Sequence, residues 1–408
     1  MNIFRLKNAV MNNEWGCEKS MTDLFGYANP DNKPMAELWM GAHPKASSML
    51  ITEEGVISLE QYIANNPEIV LGKSSAKRFR NRLPFLFKVL SAKSPLSIQS
   101  HPNKKQAEEG WKKECCLEIP LDAAHRNYKD DNHKPELLYA ITPFEALNGF
   151  REFKNVISLF EKIVGDVSRP LLLAFKQKTN SDGLKKFYHQ ILTHEKKVEF
   201  IAEVLEGSKK QLVDERLLDH ERQAYALLVS LNECYPNDIG IVSALILNYV
   251  LLRPGEAMFL RAGTPHAYLK GTALELMANS DNVLRGGLTP KHVDIPELLS
   301  TTVFEESPSG LLKILPEKSA SDTEVIYKTP VDDFQFSILI LENNQIERDV
   351  DFAEILFVVS GEVTVIELRQ PLTEKRLETG GSCFISAACT TYIVKGNGKV
   401  ARAITPIK

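Results

Sequence analysis

Hydrophobic and polar positions follow two patterns along the chain, in three successive blocks. Residues 1–150 carry short apolar stretches, LPFLFKVLSA (83–92) and ELLYAIT (136–142) among them, broken up by Pro, Gly and Asn. Stretches of that length bounded by turn formers predict strands and turns with a few short helices. After Phe150 the spacing changes to threes and fours: Phe153, Val156, Ile157, Phe160, Ile163 and Val164; then Leu184, Phe187, Tyr188, Ile191 and Leu192. Val198, Ile201, Val204 and Leu205, followed by Ala224, Leu227, Leu228 and Leu231, continue it, so residues 151–236 read as a helical block with charged outer faces. Strand character returns from YPNDIGIVSALILNYV (235–250) onward.

The last third contains a weak repeat. GEAMFLRAGTPH (255–266) aligned without gaps on GGSCFISAACTT (380–391) matches Gly255 with Gly380, Phe259 with Phe384, Leu260 with Ile385 and Ala262 with Ala387. Each copy is a glycine turn, a short apolar strand and a run of small residues, which predicts two small β-barrels of related design. His266 in the first copy is Thr391 in the second, and no histidine follows His292. The first barrel is therefore the one able to hold a histidine metal site, and the C-terminal one is expected to be structural.

Composition narrows the class. With 408 residues, 43% apolar and 25% charged, the chain is long enough for two or three domains of an ordinary globular protein. A formal net charge of −4, without a basic run or interleaved aromatic stripe, points away from nucleic acid. A few local cations still suffice for an anionic small molecule. The six cysteines form no C-x-x-C pair, which fits free thiols in a reducing compartment. The N-terminal stretch lacks an apolar h-region, and IVSALILNYVLL is too short to cross a bilayer. The expectation is a cytoplasmic protein with no membrane partner.

Four stretches hold candidate chemistry: SIQSHPN (97–103), NHKPE (132–136), GTPHAY (263–268) and ELMANSDNVLRGGLTPK (275–291). In a strand Gln99 and His101 share a face. Two ligands at i and i+2, a carboxylate at Glu136 and a distant His266 after a glycine turn follow the order of an inward metal site in a small barrel. Two imidazoles and a carboxylate suit Zn²⁺ or Fe²⁺, with the Gln99 amide oxygen filling a fourth position. Spacing alone leaves open that these are ordinary buried polar residues, as His43, His125, His189, His194 and His220 are taken to be.

PMAELWMGAHPKASS (34–48), LPFLFKVLSAKSPLSIQSHPNK (83–104), NYKDDNHKPELLYAITPFEALNGFRE (127–152), PGEAMFLRAGTPHAYLKG (254–271) and ELMANSDNVLRGGLTPK (275–291) closely resemble the type I zinc-dependent mannose-6-phosphate isomerases. The likeness runs from about Pro34 to Lys291 and more weakly beyond. It implies a mainly β cupin (jelly-roll) fold with a helical insertion. A catalytic domain over 1–150 and 237–315, a helical domain over 151–236 and a metal-free cupin-like barrel over 316–408 would follow. It implies one Zn²⁺ per chain on Gln99, His101, Glu136 and His266, a catalytic Arg285, and Ser97 and Lys291 on the phosphate or sugar. Lys134 and Glu275 match further active-site positions. Three departures stand out: Ser100 for the usual valine, Gly286 for the usual alanine, and NNEWG for NYAWG. None falls on a ligand.

The reaction so implied is the reversible interconversion of mannose 6-phosphate and fructose 6-phosphate through a cis-enediol, by a chain expected to be a monomer. The base is open among Glu275, Lys134 and a zinc-held water. Glu275 is placed first because strand alternation groups it with Met277, inside a pocket where desolvation raises a carboxyl. Two other classes compete: a non-haem iron oxygenase using the same ligands, and a sugar-phosphate-binding cupin without chemistry. Neither gives Lys291 and Arg285 as full a role.

Overall fold

The strand segments assemble into two antiparallel sheets of ten strands each, described here from a computed structural model over residues 2–53, 55–319, 323–368 and 373–406. The main path of the first sheet runs Leu247–Leu252, Phe144–Phe150, His266–Ala278, Phe85–Ala92, Glu37–Met40 and Ala9–Met11. Its axis is the thirteen-residue strand His266–Ala278. The first part of that strand pairs with Phe144–Phe150 and with Gln99–Ser100. From Gly271 onward it pairs with Phe85–Ala92 and Glu136–Ala140. Gly271, at φ +123, sits where the partners change, and a Cβ there would lie 2.5 Å from the Pro143 carbonyl. Only glycine fits that bend.

Phe85–Ala92 is buried at all eight positions. That explains its nearly continuous apolar run, because both faces are covered. The lysine within it, Lys88, is consequently a buried cation.

The second sheet joins Glu324–Tyr327, Gln335–Asp349, Thr391–Ile404, Glu354–Glu367 and Ser382–Ile385 to three strands from the opposite end of the chain: Ile3–Lys7, Met49–Thr52 and Gly55–Ser58. Residues 1–58 therefore supply strands to both sheets. The sequence repeat corresponds to matching elements. Ala257–Leu260 and Ser382–Ile385 are the short strands, Gly255 and Gly380 are turns at φ +90 and +84, and His266 and Thr391 each open a long strand. The fold is thus mainly β with helices, as expected.

Five helices of nine or more residues lie between Phe153 and Cys234: Phe153–Glu161, Arg169–Gln177, Ser181–Leu192, Lys197–Gln211 and Asp219–Cys234. Of the periodic residues, Val156, Phe160, Leu184, Phe187, Tyr188, Ile191, Ile201, Val204, Ala224, Leu228 and Leu231 are buried, while Val198 at a helix start is exposed. Their core is continuous with Ile98, Leu284 and Leu288 of the segments flanking Gln99 and Arg285. A second core spans both sheets, with Phe87 ring centroids 6.1 Å from Phe336 and 6.4 Å from Phe357. No helix among the described residues is long and apolar enough to cross a membrane.

Candidate metal centre

The strand expected across Gln99 and His101 is only two residues long, Gln99–Ser100. It stops because Pro102 follows His101 and Asn103 caps the helix Lys104–Cys116 in a capping box with Gln106. His101 therefore sits in the corner between strand and helix. Glu136 opens its strand opposite Leu260 and Met277, and His266 opens its own opposite Gln99 and Asn148.

These three segments bring His101, Glu136 and His266 together, all buried, with one ligand atom from each within 4.8 Å of the others. His101 Nδ1 lies 2.7 Å from the Asn282 carbonyl oxygen, and His266 Nδ1 lies 2.8 Å from that of Thr264. A carbonyl only accepts, so each Nδ1 is assigned the proton and each Nε2 is left facing inward. The Nε2 atoms stand 3.2 Å and 3.5 Å from the two Glu136 oxygens. His101 Nε2 has no hydrogen-bond partner despite full burial. Burial, reinforced by the Lys134 ammonium, lowers the His101 imidazole to about 4, so it is neutral near pH 7. Burial works to raise Glu136, but Lys134 at 3.0 Å and both imidazoles outweigh it and hold the carboxyl well below its ordinary value. A neutral His101 imidazole, a second imidazole tied at its Nδ1 in the same way, and one ionised carboxylate form a donor set that fits Zn²⁺.

Gln99 is half-buried, directly opposite His266 on one side and Arg285 on the other. Directly opposed residues in a sheet have side chains on the same face. The amide thus shares a face with one imidazole and the guanidinium. Arg285 and Lys291 have no carboxylate partner among the described residues. Burial lowers both, and Arg285 further lowers Lys291. Ser97 precedes Ile98, whose N–H donates to Gly287 O and whose carbonyl accepts from Gly286 N, so it runs beside the Arg285 strand.

Glu275 is brought to the same interior but is not alone there. Lys88 Nζ donates to its carboxylate at 2.8 Å and to Glu37 at 3.2 Å, and lies 5.3 Å above the Trp39 ring. Burial pushes Glu275 up, Lys88 pulls it down and Glu136 pushes it up again; the net direction is up. Lys88 is raised, because its two carboxylates outweigh the burial that disfavours its charge. The Tyr268 hydroxyl donates to Glu136 Oε2 at 2.8 Å.

Lys88, Glu37 and Tyr268 are the interior residues that sequence reasoning passed over. Lys88 had a readable signal, a lone lysine in an otherwise apolar strand. Tyr268 lies two residues from His266 on the same face by alternation. Glu37 gave none.

The chain matches the family model for the catalytic domain of type I phosphomannose isomerase over residues 3–153, and that for the cupin domain of mannose-6-phosphate isomerase over residues 323–405. It is 44% identical to the mannose-6-phosphate isomerase of Escherichia coli over 98% of both chains. It is 36% identical to the human protein of that name over 94% of this chain and 93% of that one. A zinc-bound crystal structure of mannose 6-phosphate isomerase superimposes with a TM-score of 0.91 at 44% identity, covering 100% of each chain. A mutant phosphomannose isomerase from Salmonella typhimurium gives the same score, identity and coverage. Fold, buried donor set and likeness over nearly the whole length agree, and the chain belongs to the type I mannose-6-phosphate isomerase family.

Proposed function

We propose that this chain interconverts D-mannose 6-phosphate and D-fructose 6-phosphate through a cis-enediol, with one zinc ion held by Gln99, His101, Glu136 and His266. The observation that carries the reading is the buried His101–Glu136–His266 cluster, whose Nδ1 atoms are tied to carbonyls and whose Nε2 atoms face one carboxylate.

When bound, zinc supplies a Lewis acid for an oxygen of the open-chain sugar. The rest of the chemistry belongs to side chains. In the aldose-to-ketose direction the proton on carbon 2 moves to carbon 1, and the hydroxyl proton on oxygen 2 is replaced by one on oxygen 1. Electrons stay within the substrate, so no redox partner is required.

Glu275 is assigned the carbon-bound proton, because burial raises its carboxyl toward useful basicity while Lys88 fixes its orientation. Lys134 stands as the rival base and in the first instance keeps Glu136 ionised. Arg285, with no carboxylate partner among the described residues, stabilises the negative charge that develops on the enediolate oxygens. Ser97 and Lys291, on segments flanking the same face, hold the phosphate. Binding energy spent there helps align the reacting carbons.

A monomer is the proposed working form. The six free cysteines support a reducing compartment such as the cytoplasm. An iron oxygenase or a silent sugar-phosphate binder is not favoured by the family to which the chain belongs.

The test is direct. Purified, zinc-loaded protein is given mannose 6-phosphate and fructose 6-phosphate is quantified. Steady formation of the ketose is expected. A folded, zinc-loaded protein that forms none would overturn the reading.

A further inference from the structure

We propose that Asn282 is a positioning residue of the metal centre: its side-chain amide ties the segment leading to Lys134 and Glu136 to the backbone carbonyl that orients His101. The inference rests on the zinc reading above and extends it to a residue that touches neither metal nor substrate.

Asn282 is fully buried. Its Oδ1 accepts from the backbone N–H groups of Lys129 at 2.7 Å and Asp130 at 3.2 Å. Its Nδ2 donates to the backbone carbonyls of Asp130 at 2.8 Å and Asn132 at 2.9 Å, and to Asp130 Oδ1 at 3.2 Å. The amide orientation is fixed by these partners, since two N–H groups face the oxygen and only acceptors face the nitrogen. Its backbone carbonyl is the one facing His101 Nδ1 at 2.7 Å. Three residues later the same backbone reaches Arg285, paired with Gln99.

Neighbouring bonds close the clamp. Ser280 Oγ donates to Asp130 Oδ1 at 2.8 Å and accepts from Asn282 N at 3.2 Å, while Asp281 N donates to Asp130 Oδ2 at 2.7 Å. The 129–132 segment, which runs on into Lys134 and Glu136, and the 280–285 segment are thereby fastened to each other through the Asn282 amide and the Asp130 carboxylate, with Ser280 Oγ and Asn132 Nδ2 adding bonds to the Asn132 and Asn279 carbonyls at 3.2 Å and 3.1 Å. If the clamp slips, the carbonyl facing His101 and the start of the Glu136 strand move relative to each other, and the ligand atoms lose their register. Groups of this kind behind a metal ligand typically account for roughly 10- to 100-fold in metal affinity.

Asn282→Asp tests this at nearly constant shape. It keeps an acceptor for Lys129 N and Asp130 N but puts an oxygen opposite two carbonyls and the Asp130 carboxylate. Zinc affinity would be measured by competition with a chromogenic chelator, alongside urea unfolding of the metal-free protein. Tyr225→Phe serves as the control; it deletes a buried 2.8 Å hydrogen bond to the Leu159 carbonyl among the helices. The expected result is zinc binding weakened roughly 10- to 100-fold in Asn282→Asp, and unchanged in Tyr225→Phe even where its metal-free stability falls. If Asn282→Asp does not fold, Asp130→Asn breaks the clamp from its other side and is expected to weaken zinc in the same direction. Wild-type zinc affinity in either folded clamp variant, or equal loss in the control, would overturn the proposal. Wild-type protein that binds no zinc would instead overturn the reading beneath it.

Discussion

Lys88 decides much about the interior. A lysine buried between Glu275 and Glu37 cannot shed its partners cheaply, because removing one member of a buried pair leaves the other charge desolvated. Lys88→Met is expected to lower the stability of the metal-free protein by about 3–5 kcal/mol and to suppress isomerisation. Adding Glu275→Gln should recover part of the stability and none of the activity. Urea unfolding of the single and double variants checks this, and a Lys88→Met protein as stable as wild type would contradict it. Gln99 poses a different question, since as the proposed fourth ligand its neutral amide would leave more charge on a bound zinc than a carboxylate would. Gln99→Glu is expected to bind zinc at least as tightly and to turn over more slowly. A faster variant would show that the amide is not chosen for Lewis acidity. The four proposed ligands and Arg285 were legible because they stand in long, distinctive strings. Asn282 was not, because its meaning lies in partners about 150 residues away that no local pattern reveals.

Among the elements, those with a period were readable and those without were not. The helices from Phe153 to Cys234 bury most of the residues that threes and fours select, with Val198 exposed at a helix start. The helix Lys104–Cys116 buries only Ala107, Gly110 and Glu114, so it shows no apolar stripe, and its capping box was the available signal. The second sheet holds a polar cluster that periodicity also hides. Glu324 accepts from Ser337 Oγ at 2.6 Å, Arg348 at 2.8 Å and Arg402 at 3.3 Å, and Arg402 also grips Glu354. Burial works to raise Glu324, but Ser337 and the two guanidinium groups outweigh it and hold the carboxyl below its ordinary value of 4.5. The unfolded chain therefore takes up this proton at a higher pH than the folded one does. The stability Glu324 contributes is complete above about pH 4.5 and is lost as the pH falls through its folded value. Glu324→Gln is expected to be less stable than wild type at neutral pH and to lose less stability between pH 5 and pH 3, roughly the span of this titration. Parallel acid limbs in urea midpoints would contradict that assignment.

For the whole molecule, the strand pairing crosses the sequence order. Ile3–Lys7 lies between Ser382–Ile385 and Met49–Thr52, a pairing of chain ends that a reading by consecutive stretches could not anticipate. The same core holds Phe87 beside the Lys88 strand position together with Phe336 and Phe357. His133, just ahead of Lys134, meets Asp333 at 3.0 Å. The C-terminal sheet thus packs against the strands that carry the proposed ligands. A chain ending at residue 315 is expected to lose its ordered aromatic packing, visible as a collapsed near-UV circular dichroism signal. A truncated protein with native near-UV signal would show that the first sheet stands alone.

The most direct test of the central claim is a titration of metal-free protein with zinc, following bound metal and isomerase rate on mannose 6-phosphate together. Both are expected to rise in parallel and saturate at one zinc per chain, with no rate recovered at any zinc level in His101→Ala. Full activity in the metal-free protein, or a rate that keeps rising after the first ion is bound, would contradict it.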